Sequence, residues 1–204
     1  MKVFILGSGA TGGALAQLLR RRGHDVWCGD RDVKRGRVFL GPNITCVAAN
    51  ARRPDSLIRA ARGCDLLVNT VPAAFNEAAV QAALRLRVNY LDMASHLERD
   101  PFKAEQLLFH EQFARLGRLA LINAGAAPGL TNVLVALAAD SLEQVTRVRI
   151  RLFEETNGRE PISTWSAEVA FDEATSKPRV YRQGRFRLAR RFGEPEWFRF
   201  PPPV

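Results

Sequence analysis

Short apolar runs alternate with longer segments over roughly the first 125 residues of the chain. The run Val3–Leu6 carries no polar residue, which is typical of a strand that is buried on both faces. In the segment Glu77–Leu86 the apolar residues recur at helical spacing, which predicts a helix that buries one side. Six strands are predicted in this way, at residues 3–6, 25–30, 44–49, 65–71, 90–93 and 119–122. Residues 31–35 are predicted to be a polar connection. Residues 101–116 are predicted to form a longer helix, with Leu107, Leu108 and Phe113 in the core. Strands that alternate with helices predict an α/β fold with a doubly wound parallel sheet.

The pattern changes after residue 144. Residues 146–153 alternate apolar side chains with arginines, which predicts a strand with one buried face. We predict a helix over residues 164–170, and two strands, 179–182 and 185–188, that flank the turn Gln183-Gly184. One strand and one hairpin cannot close a stable sheet. We therefore assign residues 1–144 to one domain and residues 145–204 to the N-terminal part of a second, incomplete domain.

Three glycines follow the first strand at the spacing G-x-G-x-x-G, in a loop formed by Gly7, Ser8, Gly9, Ala10, Thr11 and Gly12. A strand, this glycine loop and a helix, in that order, are the context in which the motif indicates dinucleotide binding in a Rossmann sheet. Gly7 permits a tight turn, Gly9 leaves the backbone open to a pyrophosphate, and Gly12 lets the helix pack close to the strand. The alternative is a turn that only connects strand and helix.

The second predicted strand ends at Asp30, which lies 18 positions after Gly12. A carboxylate at about this distance binds the ribose hydroxyls of a dinucleotide. It favours NAD over NADP, because a carboxylate repels the 2′-phosphate of NADP. The neighbouring Arg31 could instead hold that phosphate, so NADP remains possible.

Further candidates for the site follow the carboxyl ends of the predicted strands, where doubly wound sheets bind their ligands. Those assigned to the cofactor are Asn50, Val71, Pro72, Ala73, Ala94, Gly125, Pro128 and Gly129. Two titratable residues near the fifth strand are candidates for catalysis. Asp92 either binds substrate or fixes the following loop, and His96 is either an acid–base group or an exposed loop histidine.

Composition and charge narrow the possible partners. The net charge is +9, and arginines crowd residues 179–191. One interpretation is that this stretch is a stacking platform for nucleic acid. The other is a solvated strand face whose aromatics, Tyr181 and Phe186, turn inward. We favour the second interpretation and predict no nucleic-acid partner. The three cysteines, Cys28, Cys46 and Cys64, form no C-x-x-C motif, which predicts buried, reduced thiols and no metal site.

The sequence also favours a soluble, cytoplasmic protein with no membrane partner. The N-terminal apolar run is too short for a signal peptide. Residues 119–139 carry no charge and are long enough to span a bilayer, but a polar break that includes Asn123 and Pro128 fits a strand, a loop and a helix better.

Four segments together resemble the saccharopine dehydrogenase family, including its carboxynorspermidine dehydrogenase-like members. They are the glycine loop 7–12 and the stretches 64–72, 89–94 and 123–129; residues 192–196 add a later match. The resemblance extends over essentially the whole chain, and the Pro128-Gly129 turn is its most specific part. The chain departs from many members at Ala127, where they carry Asp, and family chains are roughly twice as long.

The resemblance implies a dinucleotide-binding domain followed by an α+β substrate domain, with possible homodimerisation through the second domain. It implies an NAD(P)-dependent oxidoreductase that acts on a C–N bond of an amino-acid-derived secondary amine, by oxidative cleavage or reductive condensation. The partner is then a small amino-acid-like substrate. The alternative is a non-catalytic dinucleotide-binding protein or subunit without a complete substrate domain. The length indicates either a truncated chain or a short relative.

Overall fold

The computed structural model describes residues 1–153, 155 and 167–202. Six of its strands are β1 Lys2–Leu6, β2 Asp25–Asp30, β3 Thr45–Ala48, β4 Leu66–Asn69, β5 Asn89–Asp92 and β6 Ala120–Leu121, and two more are β7 Arg179–Arg182 and β8 Arg185–Leu188. The α-helices are α1 Ala10–Arg21, α2 Val33–Leu40, α3 Pro54–Ala60, α4 Asn76–Leu86, α5 His110–Leu116, α6 Leu130–Ala139 and α7 Ala167–Thr175. Two 3₁₀ helices lie at Ala73–Phe75 and Glu105–Phe109.

The first six strands form one parallel sheet in the order β3-β2-β1-β4-β5-β6. Successive side chains of β1 point to opposite faces, and both faces are buried: Phe4 packs with residues of α3, α4 and α5, and Ile5 packs with residues of α1 and α2. Helices on both sides of a parallel sheet confirm the predicted doubly wound Rossmann fold. The strand order reverses between β1 and β4, so the crevice for a ligand lies at the carboxyl ends of these strands.

The chain forms two compact units, residues 1–142 and 143–204. In the second unit, β7 and β8 pair antiparallel with Tyr181 opposite Phe186, which confirms the predicted hairpin. The predicted inward orientation of its aromatics is wrong: Tyr181 is 63% exposed and Phe186 is 58% exposed, and the two rings meet edge to face at 5.1 Å. Among the described residues these two strands pair only with each other, and both rings stay largely open to water.

The predicted strand at residues 146–153 is not present. Its alternating apolar side chains are exposed, as at Ile150 (53%) and Leu152 (70%), because this segment pairs with no strand of the described residues. Its arginines instead bind Glu196, through Arg149 Nη1 at 3.1 Å and Arg151 Nε at 2.7 Å. The predicted helix over 164–170 is described from Ala167 onward, and its first residues lie outside the described residues.

Two elements of the first unit differ from the sequence prediction. The polar stretch after β2, predicted as a connection, leads into α2, whose first turn is capped by the Asp32 side chain accepting from Arg35 N. The helix predicted over 101–116 is instead the 3₁₀ helix followed by α5. The ring of Phe113 is buried as predicted, but Leu107 and Leu108 are about half exposed because the 3₁₀ helix turns them outward.

The three cysteines are buried and unpaired, as predicted. Burial raises the pKa of the Cys28 thiol to about 12 and that of Cys64 to about 11, so both thiols stay protonated at neutral pH. The described residues contain no cluster of side chains that could hold a metal ion. No helix among them is long and apolar enough to cross a membrane.

Candidate dinucleotide-binding site

The glycine loop leaves β1 through a turn that only glycine adopts without strain. Gly7 has φ 96° and donates its N–H to Gly29 O at 2.8 Å, which ties the loop to β2. Gly12 lies so close to this turn that a Cβ at its position would overlap the Gly7 carbonyl oxygen. Thr70, directly after β4, donates its hydroxyl to Leu6 O at 2.9 Å and to Gly7 O at 3.0 Å. The loop is therefore held from both neighbouring strands.

Gly9 is the N-cap of α1 and faces open space. A Cβ built on Gly9 meets no atom within 4 Å, whereas one on Gly12 meets the Thr70 hydroxyl at 2.6 Å. No side chain caps the helix, and Ala10 and Thr11 are exposed at its start. The first-turn N–H groups of a helix have no intrahelical acceptor and carry its positive dipole end. This combination of an open backbone and free donors fits a pyrophosphate.

Asp30 and Ser8 form one hydrogen-bonded unit at the end of β2. Asp30 Oδ2 accepts from Ser8 N and from Ser8 Oγ, both at 2.8 Å, and its Oδ1 accepts from Asp32 N at 2.9 Å. Burial opposes ionisation of Asp30, but the donors from Asp32 and Ser8 outweigh it and hold the pKa of this carboxyl below its ordinary value. Ser8, predicted to contact the cofactor, is buried and turned toward Asp30.

Other predicted cofactor residues form the neighbouring loops at the same edge of the sheet. Arg31 is exposed directly after Asp30. Asn50 follows β3, and its side chain accepts from Arg52 N at 2.9 Å while its N–H donates to Ser56 Oγ. Val71, Pro72 and Ala73, which lead from β4 into the first 3₁₀ helix, are partly buried. The Val71 side chain packs directly against the glycine loop, because a Cβ on Gly7 would lie 2.8 Å from Val71 Cγ1.

Asp92, the last residue of β5, is buried and hydrogen-bonded rather than exposed. Its side chain is 1% exposed and accepts from Asn123 N at 2.8 Å through Oδ1 and from Gln106 Nε2 at 2.9 Å through Oδ2. Burial raises the pKa of Asp92 even though these donors oppose the shift. The geometry therefore supports the interpretation that Asp92 fixes the loops after β5 and β6. The hydroxyl of Tyr90 is buried beside it and forms no hydrogen bond of good geometry with the described residues.

The turn after β6 is closely packed. Leu130 N donates to Gly125 O at 2.9 Å, Gly129 N donates to Asn132 Oδ1 at 3.0 Å, and the Ala127–Pro128 peptide is cis. A Cβ on Gly125 would lie 2.5 Å from Met93 O, so this turn requires glycine to pass beneath the loop after β5. The same two loops are joined by Ser95 Oγ donating to Asn123 Oδ1 at 2.7 Å.

His96 lies at the end of this β5 loop and does not contact Asp92 through any hydrogen bond that the described residues form. Its Nδ1 is 3.3 Å from Glu105 Oε2, its Nε2 is 4.0 Å from Glu98 Oε2, and its side chain is 34% exposed. The two candidates for catalysis are therefore in different environments, one sealed and one open to solvent.

Several residues that shape the site were not predicted from the sequence. Thr70 supports the glycine loop, and Asn76 donates its Nδ2 to Ala94 O at 2.7 Å while its Oδ1 accepts from Asn69 Nδ2 at 2.8 Å. Asn69 and Thr70 stand at the carboxyl end of an apolar strand, a position that could have indicated them. Gln106 comes from a segment 14 residues beyond Asp92, and no local pattern predicts their contact.

A parallel sheet in this order, with a glycine loop between β1 and α1 and an acidic residue closing β2, defines the class of NAD(P)-binding Rossmann domains. Residues 3–121 match the family model described as the saccharopine dehydrogenase NADP-binding domain. The match covers more than half of the 204 residues, and the chain belongs to this family.

Two relatives show the extent of the similarity. The chain is 26% identical over 196 residues to carboxyaminopropylagmatine dehydrogenase of Synechocystis sp., a match that covers 90% of this chain and 49% of the relative. The fold of this chain matches that of apo saccharopine dehydrogenase (L-Glu forming) of Saccharomyces cerevisiae with a TM-score of 0.60 at 15% identity. The match covers 68% of this chain and 30% of that one. The chain thus spans about half the length of the first relative.

Proposed function

We propose that this chain is the cofactor-binding part of an NAD(P)-dependent dehydrogenase that acts on a C–N bond of an amino-acid-derived secondary amine. The observation that carries the proposal is the membership of residues 3–121 in the saccharopine dehydrogenase NADP-binding family. The relative named carboxyaminopropylagmatine dehydrogenase supports the substrate class, because its name describes an amine compound. In the oxidative direction the amine carbon gives a hydride to NAD(P)⁺, and water then splits the resulting imine.

Each part of the site has a defined task in this proposal. The backbone at Gly9 and the first-turn N–H groups of α1 hold the pyrophosphate, and Asp30 accepts from a ribose hydroxyl. The cofactor, when bound, supplies the hydride acceptor or donor. Asp92 positions the loops after β5 and β6, at the edge where a nicotinamide would meet substrate. His96, the more exposed of the two titratable candidates, is the proposed acid–base group.

We further propose that NAD is preferred over NADP. The support is the lowered pKa of Asp30, which keeps a negative charge at the end of β2 where the 2′-phosphate of NADP would lie. Calorimetric titration of the 204-residue chain with NADH and NADPH measures the preference. We expect Asp30→Ala to raise the relative affinity for NADPH and Arg31→Ala to lower the affinity for NADPH alone. Tighter binding of NADPH than NADH by the unaltered chain would refute the preference.

A second function is a non-catalytic dinucleotide-binding protein or subunit. The observation that favours it is the burial of Asp92, one of the two candidates for catalysis, which is 1% exposed. Both functions predict NADH binding, so turnover distinguishes them. The assay follows NADH formation at 340 nm with saccharopine and with carboxyaminopropylagmatine as substrates. Binding together with turnover supports the dehydrogenase; binding without turnover of either substrate supports the second function. Size-exclusion chromatography with light scattering tests the proposed homodimer.

A further inference from the structure

Two buried amide side chains join the loop after β4 to the loop after β5. Asn69 is the last residue of β4, Asn76 is the first of α4, and they are 1% and 3% exposed. Val71 N donates to Asn69 Oδ1 at 3.2 Å, and Asn69 Nδ2 donates to Asn76 Oδ1 at 2.8 Å. At the other end, Asn76 Nδ2 donates to Ala94 O at 2.7 Å. We call this series of hydrogen bonds the amide relay.

The two ends of the amide relay fix the orientation of both side chains. A backbone N–H can only donate, so Asn69 presents its oxygen to Val71. A backbone carbonyl can only accept, so Asn76 presents its nitrogen to Ala94. Turning either amide over would bring donors against donors and acceptors against acceptors. The relay therefore holds Ala94 O in one position.

The same carbonyl receives a second buried donor. Gln106 Nε2 lies 3.2 Å from Ala94 O, and Gln106 is 6% exposed. Two donors occupy both lone pairs of this oxygen, which holds the plane of the peptide between Ala94 and Ser95. This peptide is trans, and in a planar trans peptide the N–H points opposite to the C=O. The N–H of Ser95 therefore points away from the buried amides.

The N–H of Ser95 is a donor at the carboxyl end of β5. It donates to no acceptor among the described residues, although the Ser95 hydroxyl donates to Asn123 Oδ1. Ala94, on the other side of the peptide, is exposed. A backbone N–H that is fixed in direction and has no acceptor within the protein is suited to orient a bound ligand.

The position of Ser95 in the sheet indicates which part of a dinucleotide it meets. A doubly wound sheet has two mononucleotide-binding halves. Asp30, which accepts from a ribose hydroxyl in the proposed function, closes β2 in the half that contains the glycine loop. The second half consists of β4, β5 and β6, and Ser95 follows its middle strand. Its N–H therefore lies in the half that takes the nicotinamide nucleotide.

We propose that the N–H of Ser95 donates to the carboxamide oxygen of the nicotinamide, and that Asn76 is the positioning residue that aims this donor. Asn76 acts through Ala94 and does not touch the cofactor. The proposal rests on the proposed function, because it requires a bound dinucleotide. It adds a contact for the end of the cofactor that Gly9 and Asp30 do not reach.

The first test is an NMR titration of the isotopically labelled 204-residue chain with NADH and, separately, with ADP-ribose, which lacks the nicotinamide. We expect a saturable downfield shift of the Ser95 amide proton with NADH and none with ADP-ribose, while amides of the glycine loop shift with both. Equal Ser95 shifts with the two ligands would overturn the proposal. NADH binding without a Ser95 shift would overturn this role alone, whereas no NADH binding would overturn the proposed function together with it.

The variant Asn76→Asp removes only one end of the relay. One carboxylate oxygen still accepts from Asn69 Nδ2, while the other stands against Ala94 O in place of a donor. We expect the Kd for NADH to rise about tenfold and the Kd for ADP-ribose to stay at the wild-type value in calorimetric titrations. Equal losses of affinity for the two ligands would show a structural role and refute the aiming of Ser95.

The pH dependence of Asn76→Asp gives a second readout. A protonated carboxyl has an O–H that can donate to Ala94 O, so the affinity for NADH should recover as the pH falls. Asn43→Asp adds the same charge in the exposed turn before β3, and we expect it to bind NADH as wild type does. An NADH affinity of Asn76→Asp that equals that of Asn43→Asp at every pH would refute the role of Asn76. The wild-type NMR titration decides the role of Ser95 even if Asn76→Asp does not fold.

Discussion

Replacement of Gly9 by valine separates cofactor binding from folding. The backbone of Gly9 is extended (φ −71°, ψ −166°), which any residue adopts, and a Cβ there meets no atom within 4 Å. Stability should therefore change by about 0.5 kcal/mol or less. The added side chain stands where a pyrophosphate approaches the backbone. Losing one hydrogen bond to a charged group costs about 1.5–3 kcal/mol, which is roughly a ten- to hundredfold increase in the Kd for NADH.

Gly12→Ala is the matched control, because it adds a single methyl group where there is no room. Its Cβ would overlap the Gly7 carbonyl oxygen and lie 2.6 Å from Thr70 Oγ1, so we expect a loss of stability of about 1–3 kcal/mol or more. NADH fluorescence titration and thermal unfolding, run on both variants, give affinity and stability. If Gly9→Val binds NADH with wild-type affinity, the pyrophosphate does not approach the backbone at this loop. If Gly9→Val unfolds, the space around Gly9 is not open in the way that the structure indicates.

Three further predictions concern the supports of the loops. The pKa of Asp30 lies below its ordinary 3.8, so the ionised carboxylate stabilises the fold above that pH. Asp30→Asn should therefore be less stable than wild type at neutral pH, and the difference should shrink as the pH falls below 3.8. Thermal unfolding over a series of pH values measures it. The pKa of Asp92 is raised, so the pH dependence of stability has the opposite sign. In the same series, the stability of Asp92→Asn relative to wild type should increase as the pH rises above 3.8. A difference that stays constant with pH would contradict this. Gly36→Ala places a Cβ against Ser8 Oγ, and we expect it to destabilise the chain by about 1–3 kcal/mol. Adding Ser8→Ala in a double variant should recover part of that loss. Strictly additive losses of stability would exclude the contact.

The parts of the fold that local sequence determines were predicted from it. The apolar run of β1, the glycine loop and the periodicity of α1 are adjacent in the chain, and a parallel, doubly wound sheet follows from the alternation of strands with helices. Helix α2 was missed because four of its eight residues are arginine, lysine or glycine, and its fully buried residues are Gly36 and Leu40. Only the capping side chain of Asp32 marks its start, and an aspartate after a strand also fits a turn.

The remaining differences arise where the outcome depends on distant parts of the chain. The alternation at residues 146–153 fits a strand, but a strand requires a neighbour, and the described residues provide none. The hydrogen bonds of Asp92 come from Gln106 and from Asn123, which lies 31 residues away. No periodicity reports such contacts, so sequence alone left its structural and its substrate-binding roles equally open.

The geometry of Asp30 also limits how it can recognise a cofactor. A carboxylate accepts about four hydrogen bonds, and at least three positions are already used by Ser8 N, Ser8 Oγ and Asp32 N. At most one position is left for a ribose hydroxyl unless Ser8 moves. Asp30 therefore contributes more to the shape of the glycine loop, and through its charge to the exclusion of a 2′-phosphate, than through direct contact with both hydroxyls. Ser8 is then the residue that sets the balance between a rigid loop and bidentate binding of the ribose.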